Sequence, residues 1–465
     1  MSLTHNPQRT GRKIAVTGGS GQLGKLIVRR LMQRSDIDTV ISVDRSPPRI
    51  AGAKLKFVEA DVRDENLAQH FAGCDTVVHC AFLVTSNAPA DVFRSVNIEG
   101  SKNVFRAAVA AGVEGIVYIS SILAYGSVAG HPVPITEQTP RVHQPAFPYA
   151  ACKFEIEDFL DTFEIAHPNV AISRLRPSVL LGREVPHALG SLLRRGQIPR
   201  NGGAPLWIVS DEDVSDLVLL AIDKRARGAF NAATDPRTAD ELSEELGMKK
   251  LWAPRPLVLG YAALDRALKK VGLHLPYDAS WFISTEGVML VSSSARAKAE
   301  LGWSPRFSTA SAVLRRFCEI APRRLDRRLA LALRLVGREG RRQIPPPACV
   351  HLCITGEHGG DYSVVVTDGR LSIRQGAPEF PQSAIFLSSA LFCRLLAGEA
   401  AVKQSWQTGG ISFEGNLDGR KILDWIVETF ASLRAQAGAT GTIARLLGRA
   451  LESRLPSLPV CGARY

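Results

Sequence analysis

The chain has 465 residues, 45% of them apolar, and a formal net charge of +12; this length exceeds one ordinary domain and predicts two. Its eight cysteines are scattered, without Cys-x-x-Cys or paired histidine spacing, which argues against a disulfide scaffold or a metal site and predicts a reducing, cytoplasmic setting. No apolar run reaches the ~18 residues of a transmembrane helix, and polar Met1–Arg12 lacks a signal-peptide core.

Residues 13–17 read as a short buried strand, followed at once by Thr17-Gly18-Gly19-Ser20-Gly21-Gln22-Leu23-Gly24 and an apolar helical pattern through Leu26, Ile27, Leu31 and Met32. Gly18, Gly21 and Gly24 let the chain turn tightly, approach a pyrophosphate and pack the helix on a sheet. The helix start, with Gln22 and Leu23, offers unpaired N–H groups to the phosphates. The next strand, 39–43, ends in Asp44, an acid ~20 residues on that suits ribose hydroxyls and repels a 2′-phosphate. NAD is therefore expected over NADP; Arg45 pulls the other way, because it can reach a phosphate. Strands follow at 55–59, 75–81 and 115–121, with a helix over 92–111, and this alternation predicts a doubly wound parallel sheet. Asp61 is a candidate acceptor for the adenine amino group. His79, alone on a buried strand, reads as a core residue.

Ser121 falls at the carboxyl end of a strand, where ligands of such sheets bind. Tyr149 and Lys153 are four apart on a predicted helix and share a face. A fixed ammonium beside a phenol favours the phenolate and is expected to lower its pKa from about 10. Such a pair transfers a proton when an alcohol is oxidised or a ketone reduced. Cys152, with no His or second Cys near it in sequence, is not read as a nucleophile.

These residues resemble the extended short-chain dehydrogenase/reductase family, which includes NAD-dependent epimerases, dehydratases and 3β-hydroxysteroid dehydrogenases. The likeness rests on the TGGSGQLG loop, Asp61-Val62, His79-Cys80-Ala81, Asn97 in Val96–Gly100, Ser120-Ser121 with Tyr125, Tyr149 with Lys153, Arg176-Pro177 and Gly182, and it spans 12–318. It implies a Rossmann fold with a small substrate subdomain. It also implies catalytic roles for Ser121, Tyr149 and Lys153, with Val62, Ala81, Asn97 and Pro177 beside the cofactor. Ser121 is favoured over Ser120 because it stands four residues before Tyr125. Trp207, Trp252 and the apolar 254–264 stretch fall where family members build a substrate pocket. Ile122-Leu123 supply no acid–base pair, which disfavours a dehydratase. A homodimer through the Tyr–Lys helix is implied, with Phe154, Ile156, Phe159 and Leu160 as contacts.

Between 321 and 345 eight arginines face two acids, and leucines recur among them. This 319–344 segment reads as a basic helical linker. Packing against a domain is favoured for it over lying on an anionic membrane. Nucleic acid is not expected, since no aromatics interleave the arginines. After Pro345-Pro346-Pro347 the rhythm changes to strands at 349–355, 361–367, 371–375 and 384–387, with Asp368-Gly369 as a turn. A helix at 389–397, a strand at 410–415 and a helix from 420 to 433 follow, an α+β order. That order, with Gly409–Gly415, resembles a sterol carrier protein 2-type lipid-binding domain over 345–435. Its apolar positions, such as Val364, Ile385, Phe392 and Leu395, line a tunnel or form a core, and core is the favoured reading. A basic tail, 436–465, docks on the protein or a membrane. The combined expectation is an NAD-dependent oxidoreductase acting on a hydrophobic alcohol or ketone. The rivals are a nucleotide-sugar or lipid-linked-sugar epimerase and a non-catalytic NAD-sensing lipid-transfer protein.

Overall fold

The computed structural model describes residues 11–452 apart from 48–49, 51, 85–87, 183–192, 194–196, 201, 252–253, 270–278, 321–326, 340–347, 356–359, 368–369, 376–382, 399, 408–410 and 416–419. The chain divides into two compact units, the first closing at Phe317 and the second opening at Cys318.

In the first unit, β1 (Arg12–Thr17), α1 (Gln22–Met32), β2 (Ile37–Asp44), β3 (Leu55–Glu59), β4 (Thr76–His79), α2 (Gly100–Ala110), β5 (Gly115–Ile119), α3 (Pro148–Ala166), β6 (Ala171–Pro177), α4 (Asp211–Asp223) and β7 (Gly228–Ala232) follow in order. The seven strands form one sheet, β7-β6-β5-β4-β1-β2-β3, every neighbour parallel. Strand order reverses beside β1, so the crevice between the ends of β1 and β4 is where such a sheet takes a ligand. Parallel strands must be covered on both faces. Accordingly Ile14, Ala15, Val16, Val77, Val78, Ile116 and Val117 are almost wholly buried.

The helix expected over 92–111 is present, with a wider turn inside it. A short helix at Ala90–Arg94 passes through a π-turn at Ser95–Glu99 before α2 begins. The wider turn brings Asn97, fully buried, against the 82–83 loop: its Oδ1 accepts from Leu83 N at 2.8 Å and its Nδ2 donates to Leu83 O at 3.0 Å. Turns of this kind recur near functional sites. The dimer expectation also needs correction at two residues. Ile156 and Leu160 point into the unit's own core, and Phe159 stacks with Phe163 and Phe105.

Farther along, α5 (Arg255–Lys269) packs against α6 (Ala279–Thr285).

The second unit starts with α7 (Arg327–Glu339) and continues with β8 (Ala348–Thr355), β9 (Gly360–Thr367), β10 (Arg370–Gln375), β11 (Ser383–Ser388), α8 (Ser389–Ala397), β12 (Ile411–Gly415), α9 (Arg420–Ala435) and α10 (Ala439–Glu452). Its sheet runs β10-β9-β8-β11-β12, antiparallel except for the β8–β11 pair. Thr367 pairs with Arg370, so Asp368-Gly369, outside the described residues, is the two-residue connection. The strands and helices thus fall within a residue or two of their expected limits.

Ala332, Leu333 and Val336 of α7 join Val350, Val364, Ile385, Phe392, Leu395, Ile426 and Phe430 in one buried cluster, and Ala444 and Leu447 of α10 belong to it too. The favoured reading of the basic segment, packing against a domain, describes α7, which supplies core to the second unit, and the tail docks on the same unit as far as Glu452. Val364, Ile385, Phe392 and Leu395, weighed as tunnel lining, pack against one another as core.

Candidate active site

The glycine loop leaves β1 at Gly18, whose φ of +70° suits glycine alone. A Cβ there would stand 2.5 Å from Ala81 N, and one on Gly24 would stand 2.1 Å from Gly18 O. The loop is therefore pressed between α1 and the end of β4. Helix α1 begins after Gly21 with no side-chain cap, so its first N–H groups face the crevice unclaimed by a cap. Gln22 and Leu23 form its first turn. At the end of β2, Asp44 accepts from Ser20 N at 3.1 Å and Ser46 N at 3.3 Å, which places its carboxylate beside the loop. Glycines that any Cβ would block, free helix N–H groups and an acid at the second strand's end together fit a dinucleotide.

Two expected cofactor contacts have partners within the protein. Asp61 binds Arg63 through both oxygens, at 2.9 and 2.8 Å, and that bond holds its carboxyl below the usual range. Arg63 thus fixes the orientation of the carboxylate, whose Oδ2 accepts this one hydrogen bond among those of the described residues. Asn97 has both ends of its amide on Leu83, so it shapes the loop and does not offer the amide to a ligand. Val62 is buried against Gly100, Arg45 is largely exposed 3.9 Å from Asp61, and Pro177 closes β6.

Ser121, Tyr149 and Lys153 converge at the ends of β5 and α3. Ser121, at the turn after β5, lies beside the Tyr149 hydroxyl and lowers its pKa, and its Oγ accepts from Leu123 N at 3.2 Å. Lys153, 2% exposed, donates to Ile119 O at 2.8 Å and to the Tyr118 hydroxyl at 3.2 Å. Its Nζ lies 3.6 Å from the Phe82 ring centre and 5.7 Å from that of Tyr149. Around the phenol stand Phe82 at 5.3 Å, Trp281 of α6 at 4.8 Å and Phe147 at 6.3 Å between ring centres.

The expected lowering of the Tyr149 pKa is not what this arrangement gives. Burial pushes the phenol up to about 12, with Ser121 pulling back. Burial also brings the Lys153 ammonium down to about 7, against the attraction of Glu157. An apolar aromatic shell disfavours both charges, and Lys153 directs its hydrogens at Ile119 and Tyr118.

His79 bonds Thr17 through Nδ1 at 2.7 Å and Ser101 through Nε2 at 2.8 Å, and burial pulls its pKa down to about 3. It is a neutral core residue. Burial raises the Cys152 thiol to about 11, which suits no nucleophile. Trp207 is buried in one cluster with Phe147 and Ala150, against which Tyr149 and Trp281 pack. Trp252 lies outside the described residues. The 254–264 stretch, expected in the pocket, instead turns Leu257, Leu259 and Leu264 outward.

Sequence reasoning passed over Glu157, fully buried one turn beyond Lys153. It accepts from Ser120 at 2.5 Å, from Arg141 at 3.0 Å and from Arg176 through Nε at 2.8 Å, and it pairs with Arg176 through Nη2 as well. Arg176 reaches the Tyr125 hydroxyl at 2.7 Å, which donates to Asn231 at 2.9 Å. The 149, 153, 157 spacing was the available signal. Among the described residues no cluster of three His, Cys, Asp or Glu could hold a metal. None of the described helices is long and apolar enough to cross a membrane.

Residues 14–232 match the NAD dependent epimerase/dehydratase family. An uncharacterized protein of Sinorhizobium fredii is 28% identical over 327 residues, 68% of this chain and 80% of that protein. A 3-beta-hydroxysteroid dehydrogenase of Mycolicibacterium neoaurum is 38% identical over 118 residues, 23% of this chain and 32% of that protein. Among solved structures, the UDP-glucose-4-epimerase of Stenotrophomonas maltophila with bound NAD and formylated UDP-arabinopyranose aligns with a TM-score of 0.51 at 20% identity, over 66% of this chain and 96% of that one, a likeness of fold.

Proposed function

With an NAD-dependent epimerase/dehydratase domain in its N-terminal part, this chain is an enzyme whose cofactor is NAD, and we propose that it interconverts a secondary alcohol and a ketone on a hydrophobic substrate of sterol, steroid, isoprenoid or acyl type. NAD supplies the site with a hydride acceptor or donor. The glycine loop and α1 hold the pyrophosphate, and Asp44 takes the adenosine ribose. Tyr149 exchanges a proton with the substrate oxygen. Ser121, beside that phenol, steadies the oxygen as its charge changes. Lys153, held by Ile119 O one turn along the helix from Tyr149, stands where it can take or give a proton near neutral pH.

One observation carries the reading: a phenol beside Ser121 and a buried lysine, walled by Phe82, Phe147 and Trp281. The wall favours a greasy substrate. The match to a 3-beta-hydroxysteroid dehydrogenase supports it, as does a second unit whose strand–helix order resembles a sterol carrier domain. A nucleotide-sugar epimerase is the second reading, supported by the fold shared with a UDP-glucose-4-epimerase. A dehydratase is disfavoured because Ile122 and Leu123, after Ser121, are buried apolar residues.

Assaying the full chain with NAD on 3β-hydroxysterols and, separately, on UDP-glucose decides between these readings. NADH formation on a sterol is expected. Interconversion of UDP-sugars without sterol oxidation would replace this reading with the epimerase.

Cofactor choice gives a further test. Asp44→Ala is expected to reduce the NAD-over-NADP ratio of kcat/KM roughly tenfold, because a carboxylate that repels a 2′-phosphate is removed. An unchanged ratio would take the ribose role from Asp44.

A further inference from the structure

Helix α5 is arranged inside out. Its one acid, Asp265, is only 4% exposed, whereas Leu257, Leu259 and Leu264 are 70%, 45% and 53% exposed. Gly260, Ala263 and Ala267 are exposed as well. At 100° per residue these six positions fill the outward half of the helix, and no charged residue falls inside that half. A surface helix of a globular protein normally shows the reverse pattern. Contiguous exposed apolar surface of this kind marks a place where something docks.

We propose that α5 lies flat on an anionic lipid bilayer, with its leucines entering the boundary between headgroups and acyl chains. Charge selects this occupant. The helix carries Arg255, Arg266 and Lys269 against the single buried acid; Lys249, just before it, is exposed, and the chain as a whole carries +12. Basic residues beside an outward apolar arc are the composition of interfacial helices. A second copy of the chain would set the same cations against each other. At 15 residues the helix is about 22 Å long, too short for a hydrocarbon core of about 30 Å, so it rests on the surface and does not span it. The basic segment and tail, the sequence's own candidates for membrane contact, seat Ala332, Leu333, Val336, Ala444 and Leu447 in the second unit's core, and their large exposed apolar residues are Leu331, Ile443 and Leu446 among those described. Because α5 packs on α6, and α6 carries Trp281 against Tyr149, the docked face is two helices from the candidate site. The inference holds whether the substrate is a sterol or a sugar.

Co-sedimentation of the full chain with vesicles tests it. Vesicles of equal parts phosphatidylcholine and phosphatidylglycerol are expected to carry the protein down, vesicles of phosphatidylcholine alone much less, and added salt is expected to release it. The double variant L257S/L264S changes only exposed side chains. It is expected to lower partitioning to the mixed vesicles roughly tenfold or more, while NADH binding and the melting profile stay as in the parent. Absence of the parent protein from the vesicle pellet, or equal partitioning of the variant, would overturn the proposal. So would a dimer that the two substitutions dissociate, since the face would then belong to a second copy.

Discussion

Tyr149→Phe is expected to lower kcat by about 10²–10⁴-fold while NADH binding stays within about twofold of the parent. The substitution removes one oxygen and leaves the ring, so the contacts with Phe82, Phe147 and Trp281 that hold the end of α3 persist. What is lost is the acid–base group beside Ser121. The residual rate measures what Ser121 and orientation supply without a proton carrier. The ligand-free phenol, held up near 12 by burial, is its own protonated reservoir, and the charge that assists ionisation must come from Lys153 and the bound nicotinamide. Steady-state turnover, with NADH fluorescence titration as the binding control, checks this. Turnover within tenfold of the parent would exclude Tyr149 as the proton carrier.

The repeating backbone pattern was legible in the sequence because it rests on local signals. The glycine loop between an apolar strand and an apolar helix needs no distant partner to be recognised, and the structure puts it beside the switch in strand order. Tyr149 and Lys153 were legible for the same reason, as four-apart residues on one helix. Electrostatics were not legible. The pattern shows that an ammonium stands near a phenol, but the sign of the pKa shift depends on burial, and Phe82 and Trp281, which join Phe147 around the phenol, come from distant segments. The π-turn at Asn97 leaves little trace in periodicity, and it commits the Asn97 amide to Leu83. The basic segment before the second unit looked like a linker because its arginines outnumber its core residues. Three positions, Ala332, Leu333 and Val336, are enough to seat it.

Removing the Glu157 carboxylate should cost the first unit roughly 3–5 kcal/mol, since Glu157→Ala leaves the buried Arg176 guanidinium without a carboxylate, while Arg174 keeps Asp161 and Glu164. Arg176 is 4% exposed and Arg174 6%, and both face this carboxylate, with Arg141 at 3.0 Å. Burial by itself raises the Glu157 pKa, but the charge and hydrogen bonds of Arg176, then Arg174 and Ser120, outweigh it and hold the group near 2. A carboxyl whose folded pKa lies below its unfolded value adds stability that is fully present above the unfolded pKa, about 4.5. That stability is lost as pH falls through the folded value near 2. The stability gap between parent and Glu157→Ala should therefore be constant from neutral pH down to about 5 and close below it. Glu157→Gln keeps the shape and part of the hydrogen bonding, and should lose less than the alanine variant at neutral pH. Urea denaturation of each variant across that pH range is the measurement. An alanine variant within about 1 kcal/mol of the parent at neutral pH would show that Arg176 finds another partner. The same carboxylate grips Ser120, next to Ser121, and stands one turn from Lys153. The expected loss of stability should thus be accompanied by a fall in kcat larger than any change in NADH affinity, because the network fixes the reacting end of the sheet and not the glycine loop.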